Sequence, residues 1–444
     1  MGKYFGTDGI RGKAEMFTGE FIERVARGLG VAGKRVMIGG DTRESTERIL
    51  EELEHSLDNG GASEVGNVGV LSTPGINFAF YYLGYDFAID VTASHNPYTD
   101  NGIKIFERGE ESGIKLSLEG RERIEKSIAD DSPQDLPMPT ETNYLSDQRR
   151  ALNYYEEHLL QYVGETDFAG MKVVLDCANG ATGVIGGRLF EKLGAEVVVI
   201  NNDVSFGTKI NDGVGSTHIE GLVSLVREGG FDFGVAFDGD GDRCMMVDEN
   251  GEVVDGDQLL AILAEQLELS KIVTTVMANQ GLLNWGQENG VEVITTDVGD
   301  QNVAAEMRAR GIKLGGEQSG HIILPGEAMG DGMLTALVVA KTMKKSGKKL
   351  SELTQKMKKL PQSSINIPAS IDEKELFKTE PAFKHIIEEY GQKLKELDGR
   401  VLVRPSGTEN LIRVTVWGGN QDRIDEAAKE LANKITEELK NGHD

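Results

Sequence analysis

The chain repeats one local pattern three times: a short apolar strand, an amphipathic helix and a second apolar strand. The three predicted units cover residues 36–71, 172–200 and 271–296. Two strands joined by such a helix run parallel, because the helix carries the chain back to the end at which the first strand began. The pattern therefore predicts an α/β protein with parallel or mixed sheets that are covered by helices on both faces.

Two polar stretches, residues 129–150 and 361–373, interrupt this pattern and predict domain boundaries. A length of 444 residues allows three or four domains at about 100–200 residues each. After the second stretch, a strand–loop–strand and an amphipathic helix replace the repeated unit, which favours a separate α+β domain. We predict three similar α/β domains with mixed sheets and a C-terminal α+β domain, at residues 1–150, 151–252, 253–362 and 363–444.

Charge and composition exclude several classes of protein. The formal charge is −26, from 47 basic and 73 acidic residues, and such a surface repels nucleic acid and anionic membranes. The sequence has no apolar run of about 18 residues and no apolar segment at its N-terminus, so we expect no membrane span and no secretory signal. Cys177 and Cys244 are too few for a disulfide framework, and a cytoplasmic protein is the simplest expectation.

A serine follows the end of the apolar strand at residues 87–91, in the stretch Thr92-Ala-Ser94-His95-Asn-Pro97. A turn closed by local hydrogen bonds is the ordinary explanation for Ser, Asn and Pro together. The alternative is a hydroxyl that is displayed to a ligand rather than packed. The sequence of this stretch does not decide between the two explanations, so the other motifs must.

The strongest signal for a metal site is Asp238-Gly-Asp240-Gly-Asp242-Arg243, directly after an apolar strand. Aspartates at alternate positions of a glycine-rich loop can turn three carboxylates toward one cation, and an all-oxygen set favours Mg²⁺, Mn²⁺ or Ca²⁺ over Zn²⁺. The helix–loop–helix type of calcium site is excluded, because Arg243 stands where that loop requires glycine and a strand precedes it. A solvated acidic turn is the ordinary alternative.

A second motif suits a phosphate group. Arg404-Pro-Ser406-Gly407-Thr408 and the nearby Arg413 place two guanidinium groups around hydroxyls and a glycine turn. Bidentate arginines and inward-pointing backbone amides are common phosphate ligands. A solvent-exposed hairpin is the ordinary alternative.

A third motif suits sugar hydroxyls. Glu317, Gln318 and Ser319 are consecutive hydrogen-bonding groups between glycines, and residues 211–218 carry a weaker signal of the same kind. Each of these alone fits an ordinary polar turn. Together with Ser94, the metal loop and the phosphate motif, they lie in four successive regions of the chain. We therefore expect one site in a central cleft where four domains meet.

These motifs, in this order, resemble the α-D-phosphohexomutase superfamily over the full length of the chain, beginning with the stretch Phe5-Gly-Thr-Asp-Gly-Ile-Arg11-Gly. Gln318 between Glu317 and Ser319, and the segment Gly215-Ser-Thr-His218, are similar to the branch that acts on glucosamine phosphates. The resemblance implies interconversion of glucosamine 6-phosphate and glucosamine 1-phosphate through a phosphoserine and a sugar bisphosphate. That reaction would supply amino-sugar nucleotides for cell-wall precursors.

The resemblance also implies roles for single residues. Ser94 would be the phosphoserine, and one Mg²⁺ per site would bind to Ser94, Asp238, Asp240 and Asp242. The acid–base or electrostatic groups near the reacting oxygen would be Lys104, Arg11, His321 and Arg243, and the general base among the first three stays open. The groups that contact the sugar would be Glu317, Gln318 and Ser319. The groups that hold the non-reacting phosphate would be Arg404, Ser406, Gly407, Thr408 and Arg413.

Three positions depart from the family pattern: Gln301 stands where a basic residue is usual, Asn410 replaces a proline and Val214 replaces a cysteine. The missing charge at Gln301 bears on sugar preference and affinity, and not on the type of reaction. A phosphomannomutase or phosphoglucomutase is the near alternative. A metal-dependent sugar phosphatase and a silent sugar-phosphate-binding protein are more remote ones. The expected partner is a hexosamine phosphate; a homodimer is compatible with this interpretation, and the sequence does not determine the oligomeric state.

Overall fold

The computed structural model describes residues 3–6, 8–110, 112–130, 144–395, 399–406 and 410–441. The strands of this part are β1 Ile10–Lys13, β2 Arg35–Gly40, β3 Glu64–Val70, β4 Phe87–Val91, β5 Asp100–Arg108, β6 Gly113–Lys115, β7 Lys172–Asp176, β8 Glu196–Ile200, β9 Phe233–Phe237, β10 Cys244–Asp248, β11 Val253–Val254, β12 Lys271–Thr275, β13 Glu292–Thr296, β14 Gly315–Gly316, β15 Ile322–Ile323, β16 Gln362–Pro368, β17 Arg400–Pro405 and β18 Leu411–Trp417. The α-helices are α1 Gly19–Leu29, α2 Glu44–Asn59, α3 Thr73–Tyr82, α4 Leu118–Ala129, α5 Tyr144–Val163, α6 Gly186–Lys192, α7 Glu220–Gly229, α8 Gly256–Gln266, α9 Gln280–Asn289, α10 Asp300–Arg310, α11 Gly332–Ser346, α12 Leu350–Thr354, α13 Ile371–Thr379, α14 Pro381–Lys395 and α15 Gln421–Asn441.

The chain forms two compact units, and each is discontinuous in sequence. The first contains residues 1–269 and 299–354, and the second contains residues 270–298 and 355–444. None of the helices in the described residues is long and apolar enough to cross a lipid bilayer. The two cysteines, Cys177 and Cys244, are buried free thiols.

The first unit contains two mixed sheets, each built around one of the predicted strand–helix–strand units. One has the order β1-β5-β4-β2-β3, with β6 added beside β5; β2 is parallel to β3 and β4, whereas β5 is antiparallel to β4. The other has the order β11-β10-β9-β7-β8, with β7 parallel to β8 and β9. The prediction of α/β units with mixed sheets is confirmed. The middle strands of the two sheets, β4 and β9, end at the serine stretch and at the aspartate loop, respectively.

The third strand–helix–strand unit, β12-α9-β13, is also present, and its strands are parallel. It belongs to the second unit, where the guanidinium of Arg400 donates to the carbonyl of Ala278 at 2.5 Å. In the first unit, β14 and β15 form a short antiparallel pair.

The C-terminal part is an antiparallel sheet, β16-β18-β17, covered by helices, as an α+β domain requires. Ile424, Ala428, Leu431 and Ile435 of α15 are buried in its core, as the helical period predicts. The stretch 361–373, which we interpreted as a break, contains β16, paired with β18 from end to end. Of the other predicted boundary, 129–150, residues 131–143 lie outside the described part. The domain limits stay predictions.

Asp331 caps helix α11 from a buried position. Its Oδ1 accepts a hydrogen bond from the Leu334 amide at 2.8 Å, and its Oδ2 accepts one from the Tyr155 hydroxyl at 2.8 Å. Burial raises the pKa of Asp331 to about 7, although both hydrogen bonds act in the opposite direction. The folded protein therefore binds this proton more tightly than the unfolded chain does. The stability from this proton is fully present below the ordinary aspartate pKa of about 4 and is lost as pH rises to about 7.

We expect Asp331→Asn to remove this pH dependence, because the amide keeps the cap and cannot ionise. Relative to the variant, the wild type should lose on the order of 4 kcal/mol between pH 4 and pH 7, at about 1.4 kcal/mol per pKa unit. Calorimetric melting curves across this pH range test the prediction, with the exposed Asp212→Asn as control. Parallel pH profiles for the wild type and Asp331→Asn would contradict it.

Candidate active site

Ser94 is buried, so its hydroxyl is not displayed at the surface. Its Oγ donates to Asp238 Oδ2 at 2.7 Å and lies 3.3 Å from Nδ1 of His95. The serine is covered because the aspartate loop of the neighbouring sheet closes over the end of β4. The explanation as an ordinary capped turn also fails, since the hydroxyl bonds to a carboxylate 144 residues away.

The aspartate loop connects the antiparallel strands β9 and β10. Glycines make this tight loop possible: Gly241 has φ +72°, and a Cβ atom at Gly239 would lie 2.8 Å from the carbonyl oxygen of Ser94. A larger residue at position 239 would push the loop away from the serine, and one at position 241 would be strained and would collide with Thr182. The sequence Asp-Gly-Asp-Gly-Asp thus allows both the convergence of the carboxylates and the close approach to β4.

Asp238, Asp240 and Asp242 are buried, and one carboxylate oxygen of each lies within 4.8 Å of the others. At that separation, two ionised carboxylates repel each other by about 3 kcal/mol at an effective dielectric constant of about 20. Within the described residues, Oδ1 of Asp240 and Oδ1 of Asp242 are buried without a hydrogen-bond partner. Oxygens of this kind are what a hard divalent cation binds. The residues therefore fit a metal ion.

The electrostatic environment shifts the pKa values of Asp238 and Asp240 in opposite directions. Burial raises the pKa of Asp238 well above its usual range, and repulsion by Asp240 and Asp242 adds to this effect. Burial also acts to raise the pKa of Asp240, but the ammonium of Lys104 outweighs it and lowers that pKa. A proton on Asp238 would have to leave before this carboxylate could bind a cation fully.

Lys104 projects from β5 into this acidic cluster and is almost fully buried. Its Nζ lies 2.7 Å from Asp240, 3.2 Å from Asp242 and 3.1 Å from Asp8. Burial favours the neutral amine, but the three carboxylates outweigh it and raise the pKa of Lys104 well above its usual value. Lys104 is therefore a fixed cation beside the aspartate loop.

His95 is adjacent to Ser94 in sequence, but its ring is hydrogen-bonded to Arg243. Its Nδ1 accepts a hydrogen bond from Nη1 of Arg243 at 2.6 Å. Burial, and then the charge of Arg243, lower the pKa of His95 to about 3, so the ring is neutral near pH 7. The lone pair of Nδ1 that could accept the serine proton is therefore bound to a guanidinium. Arg243 also donates its backbone amide to Asp238 at 3.2 Å.

A chain of alternating charges leads from Lys104 to His321. Asp8 bonds to Lys104, and also to Lys115 at 2.5 Å. Lys115 bonds to Asp300 at 2.5 Å, and Asp300 lies 3.8 Å from Nε2 of His321. The chain connects the serine region to the loop after β14, which carries the predicted sugar-binding residues. The predicted helper Arg11 joins it, donating to Asp8 at 2.6 Å.

His321 is buried, and its Nε2 accepts a hydrogen bond from the amide of Gly330 at 3.2 Å. In the neutral ring the proton is therefore on Nδ1. Among the described residues Nδ1 has no hydrogen-bond partner. The Nδ1–H group of His321 can thus donate a hydrogen bond to a ligand.

The predicted sugar-binding residues lie in the loop between β14 and β15. The Oε1 atom of Glu317 accepts from the amide of Gly299 at 3.2 Å, and the carbonyl of Gln318 accepts from the amide of Gly256 at 3.0 Å. Ser319 is exposed. The loop therefore has an anchored backbone and presents part of its polar side chains to solvent.

A cavity of about 610 Å³ opens beside His321 and Asp300. Its wall includes Gln301, together with the basic residues Lys115, Arg121 and Arg308. Positive charge is thus present where the family pattern would have a basic residue at position 301.

The phosphate motif lies in the second unit. Arg404 and Arg413 are directly opposite each other on β17 and β18, so their side chains leave the same face of the sheet. Like charges at such a pair of positions are unfavourable unless an anion lies between or beside them. The amide of Ser406 bonds to the carbonyl of Leu411 at 2.8 Å, and Gly407 and Thr408 lie outside the described residues.

Within the first unit, the structure thus brings together Ser94, the three aspartates, Lys104 and Arg243. Ser94 and the backbone of Arg243 contact Asp238 directly, and Lys104 contacts Asp240. Arg11 and His321 are connected to this group through Asp8, Lys115 and Asp300, which our sequence analysis did not single out. Asp8 lies inside the motif that contains Arg11, which could have directed attention to it. Lys115 and Asp300 occur in no motif that we recognised.

Four family models match the chain in succession. They are described as phosphoglucomutase/phosphomannomutase alpha/beta/alpha domains I, II and III and the C-terminal domain, and they match residues 2–135, 153–251, 255–360 and 343–434. The phosphoglucosamine mutase of Geobacillus thermodenitrificans is 42% identical, over 99% of each chain. That of Caldicellulosiruptor bescii is 41% identical, over 99% of this chain and 100% of its own.

Solved structures share the fold. A phosphoglucomutase/phosphomannomutase family protein of Burkholderia thailandensis aligns with a TM-score of 0.78 at 22% identity, over 99% of this chain and 98% of its own. An N-acetylphosphoglucosamine mutase of Aspergillus fumigatus, in complex with GlcNAc-6P and magnesium, aligns with a TM-score of 0.66 at 17% identity, over 99% and 96%. At these identities the likeness concerns the fold alone.

We expect Asp240→Asn to weaken binding of a divalent cation at least about tenfold, because even residues behind metal ligands are commonly worth that much. The change removes repulsion from Asp238 and Asp242, but it also removes one partner of the buried Lys104, which keeps Asp8 and Asp242; a melting curve therefore accompanies the titration. Titration calorimetry with MgCl₂ and MnCl₂ measures the affinity, and the surface substitution Asp203→Asn is the control. Equal affinity in the wild type and Asp240→Asn would show that the cation binds elsewhere.

Proposed function

The chain belongs to the phosphoglucomutase/phosphomannomutase family, and we propose that it interconverts glucosamine 6-phosphate and glucosamine 1-phosphate. The full-length relatives favour the amino sugar as the substrate. The observation that carries the reaction type is the 2.7 Å hydrogen bond from Ser94 to Asp238, inside a cluster of three aspartates. A serine in this position can carry a phosphoryl group beside a bound cation.

The reaction has two balanced transfers. In the first, the bond between phosphorus and Oγ of phospho-Ser94 breaks and a bond to a sugar oxygen forms, while the sugar hydroxyl gives up its proton and Ser94 regains one. The product is a sugar bisphosphate. After this intermediate has turned over in the site, its other phosphoryl group returns to Ser94. Because phosphoryl transfer passes through a loose transition state, positioning and charge stabilisation dominate catalysis.

Asp238, Asp240 and Asp242, with an oxygen on Ser94, would hold one Mg²⁺. The buried, unpartnered oxygens of Asp240 and Asp242 among the described residues support this assignment. When bound, the ion offsets negative charge on the phosphoryl oxygens.

The three candidates for proton transfer differ in their chemistry. Lys104 is held as a cation by Asp8 and two aspartates of the triad, and Arg11 is permanently charged. Both therefore stabilise negative charge without accepting a proton. His321, whose Nδ1–H has no hydrogen-bond partner among the described residues, donates a hydrogen bond to the sugar, and the acceptor of the hydroxyl proton stays open.

The burial of Ser94 favours transfer over hydrolysis. Its side chain has no solvent-exposed surface, and a phosphoserine at a site closed to water is not hydrolysed while the intermediate reorients. The paired Arg404 and Arg413 supply a binding site for the non-reacting phosphate, to which Ser406, Gly407 and Thr408 contribute.

Glu317, Gln318 and Ser319 contact the sugar in this proposal, and Lys115, Arg121 and Arg308 supply the positive charge that Gln301 does not. A mutase of hexose phosphates is the near alternative, since it would use the same serine and metal loop. The cytoplasmic location and the homodimer stay predictions.

We expect Ser94→Ala to reduce turnover to background and to remove one phosphoryl group from the intact mass of the isolated protein, because the carrier oxygen is lost. Mass spectrometry and a coupled assay measure the two effects. The surface substitution Ser224→Ala should change neither. Full turnover of Ser94→Ala would end the phosphoserine proposal.

Rates with glucosamine, glucose and mannose 6-phosphates should be highest for glucosamine 6-phosphate, with a bisphosphate detectable by ³¹P NMR. Higher kcat/KM for glucose or mannose phosphate would establish the hexose alternative. Steady release of inorganic phosphate without a bisphosphate would establish a phosphatase. Binding without any conversion would leave a sugar-phosphate-binding protein.

A further inference from the structure

Arg43 is a fully buried arginine that lies behind the serine loop. It follows β2, and its Nε donates to Asp41 Oδ2 at 2.9 Å, with both side chains shielded completely from solvent. Burying a guanidinium is unfavourable unless its donors are all bonded. The remaining donors of Arg43 all point at one short stretch of chain.

Four carbonyl oxygens of the serine loop accept hydrogen bonds from Arg43. Nη2 donates to Ser94 and to Asn96, each at 2.8 Å, and Nη1 donates to Asp100 at 3.1 Å and to Pro97. One rigid cation thus fixes the path of the backbone from residue 94 to residue 100. The planar fork of arginine suits this task, and the ammonium of lysine cannot reach four such acceptors.

The same ion pair also holds the other side of Ser94. The amide of Ser94 donates to Oγ1 of Thr92 at 2.8 Å, and Thr92 Oγ1 donates to Oδ2 of Asp41 at 2.7 Å. Both backbone groups of Ser94 are therefore held by the pair of Asp41 and Arg43. The carbonyl bonds to Arg43 directly, and the amide is connected to Asp41 through the Thr92 hydroxyl.

Ser94 needs such support because its backbone is strained. Its φ is +53°, in the left-handed region that a serine seldom adopts. This conformation turns Oγ toward Asp238 at the end of β4. If the loop relaxed, the hydroxyl would move away from the metal loop.

The turn that carries Arg43 is also fixed to the part of the first unit that contains the aspartates. Gly207 donates to the carbonyl of Thr42 at 2.9 Å, and the Thr42 hydroxyl donates to the carbonyl of Asn179 at 2.5 Å. Asn211 adds a second hydrogen bond to the carbonyl of Ser94, at 2.8 Å. The turn thus fixes the position of the serine loop relative to the sheet whose strand β9 leads into the metal loop.

We propose that Arg43 is a positioning residue for phosphoryl transfer, which holds the strained serine loop so that Ser94 meets the aspartate loop in the same geometry in both half-reactions. The inference rests on the proposed function, because the phosphoryl group leaves Ser94 and returns to it. A misplaced phosphoserine would transfer slowly to the sugar and would become accessible to water. A residue that only stabilised the fold would affect neither of these two quantities selectively.

The test compares Arg43→Lys with Arg48→Lys. Arg48 lies on the following helix and also donates to backbone carbonyls, but these are the carbonyls of Phe17 and Ala14 and not those of the serine loop. For Arg43→Lys we expect kcat with glucosamine 6-phosphate to fall roughly 100-fold, the loss typical of a reacting group displaced by about 1 Å. KM should stay within about twofold, since the ground-state contacts to the sugar are unchanged.

The second measurement follows ³²P-labelled phospho-Ser94 after addition of glucosamine 6-phosphate. Arg43→Lys should release a larger share of label as inorganic phosphate, and Arg48→Lys should match the wild type. Equal kcat and equal release in the two variants would overturn the inference. An inactive wild type would instead refute the proposed function.

Thr92→Val is the second variant if Arg43→Lys does not fold, because it preserves side-chain shape and cuts only the link between Ser94 and Asp41. It should show the same pattern with a smaller loss of kcat, about tenfold, as expected for one hydrogen bond. Wild-type kcat and phosphate release in folded Thr92→Val would overturn the inference independently.

Discussion

The mutual repulsion of three buried aspartates is the interaction on which the candidate active site depends. Asp238, Asp240 and Asp242 are held together by a hairpin loop with glycines between them, and burial acts to raise the pKa of Asp238 and of Asp240. Lys104 opposes this effect at one side of the cluster, and the Ser94 hydroxyl contacts the other. The site is therefore organised around a concentration of negative charge that a cation, and then a phosphoryl group beside it, can complete.

Local patterns were sufficient to predict the elements of the fold. The strand–helix–strand periods gave the three α/β units, and the apolar positions of the last helix, such as Leu431 and Ile435, gave its buried face. Short motifs predicted the metal site because residues close together in the sequence of the aspartate loop are also close together in space. The stretch 361–373 contains a polar edge strand, β16, which the sequence does not distinguish from a linker when its partner strand is unknown.

The errors and omissions at the site share one physical cause. Whether Ser94 is exposed depends on a loop 144 residues away, and nothing in its own neighbourhood reports that loop. Asp8, Lys115 and Asp300 form one charge chain from three distant regions, so each appears in the sequence as an ordinary surface residue. Conversely, His95 is next to Ser94 in sequence and yet bonds to Arg243. Adjacency along the chain was informative inside a loop and misleading between side chains.

The discontinuity of the second unit limits how the chain can be divided. Its parallel pair, β12 and β13, is encoded before residues 299–354, the last segment of the first unit. Arg400 of the C-terminal sheet bonds to the loop after β12. The C-terminal segment is therefore not a module that recombination could exchange on its own, because the segment 270–298 would be left without the surface on which it packs. A family built in this way is expected to vary by substitution within its loops and to keep its order of segments, which is how the motifs of this chain remain recognisable in sequence.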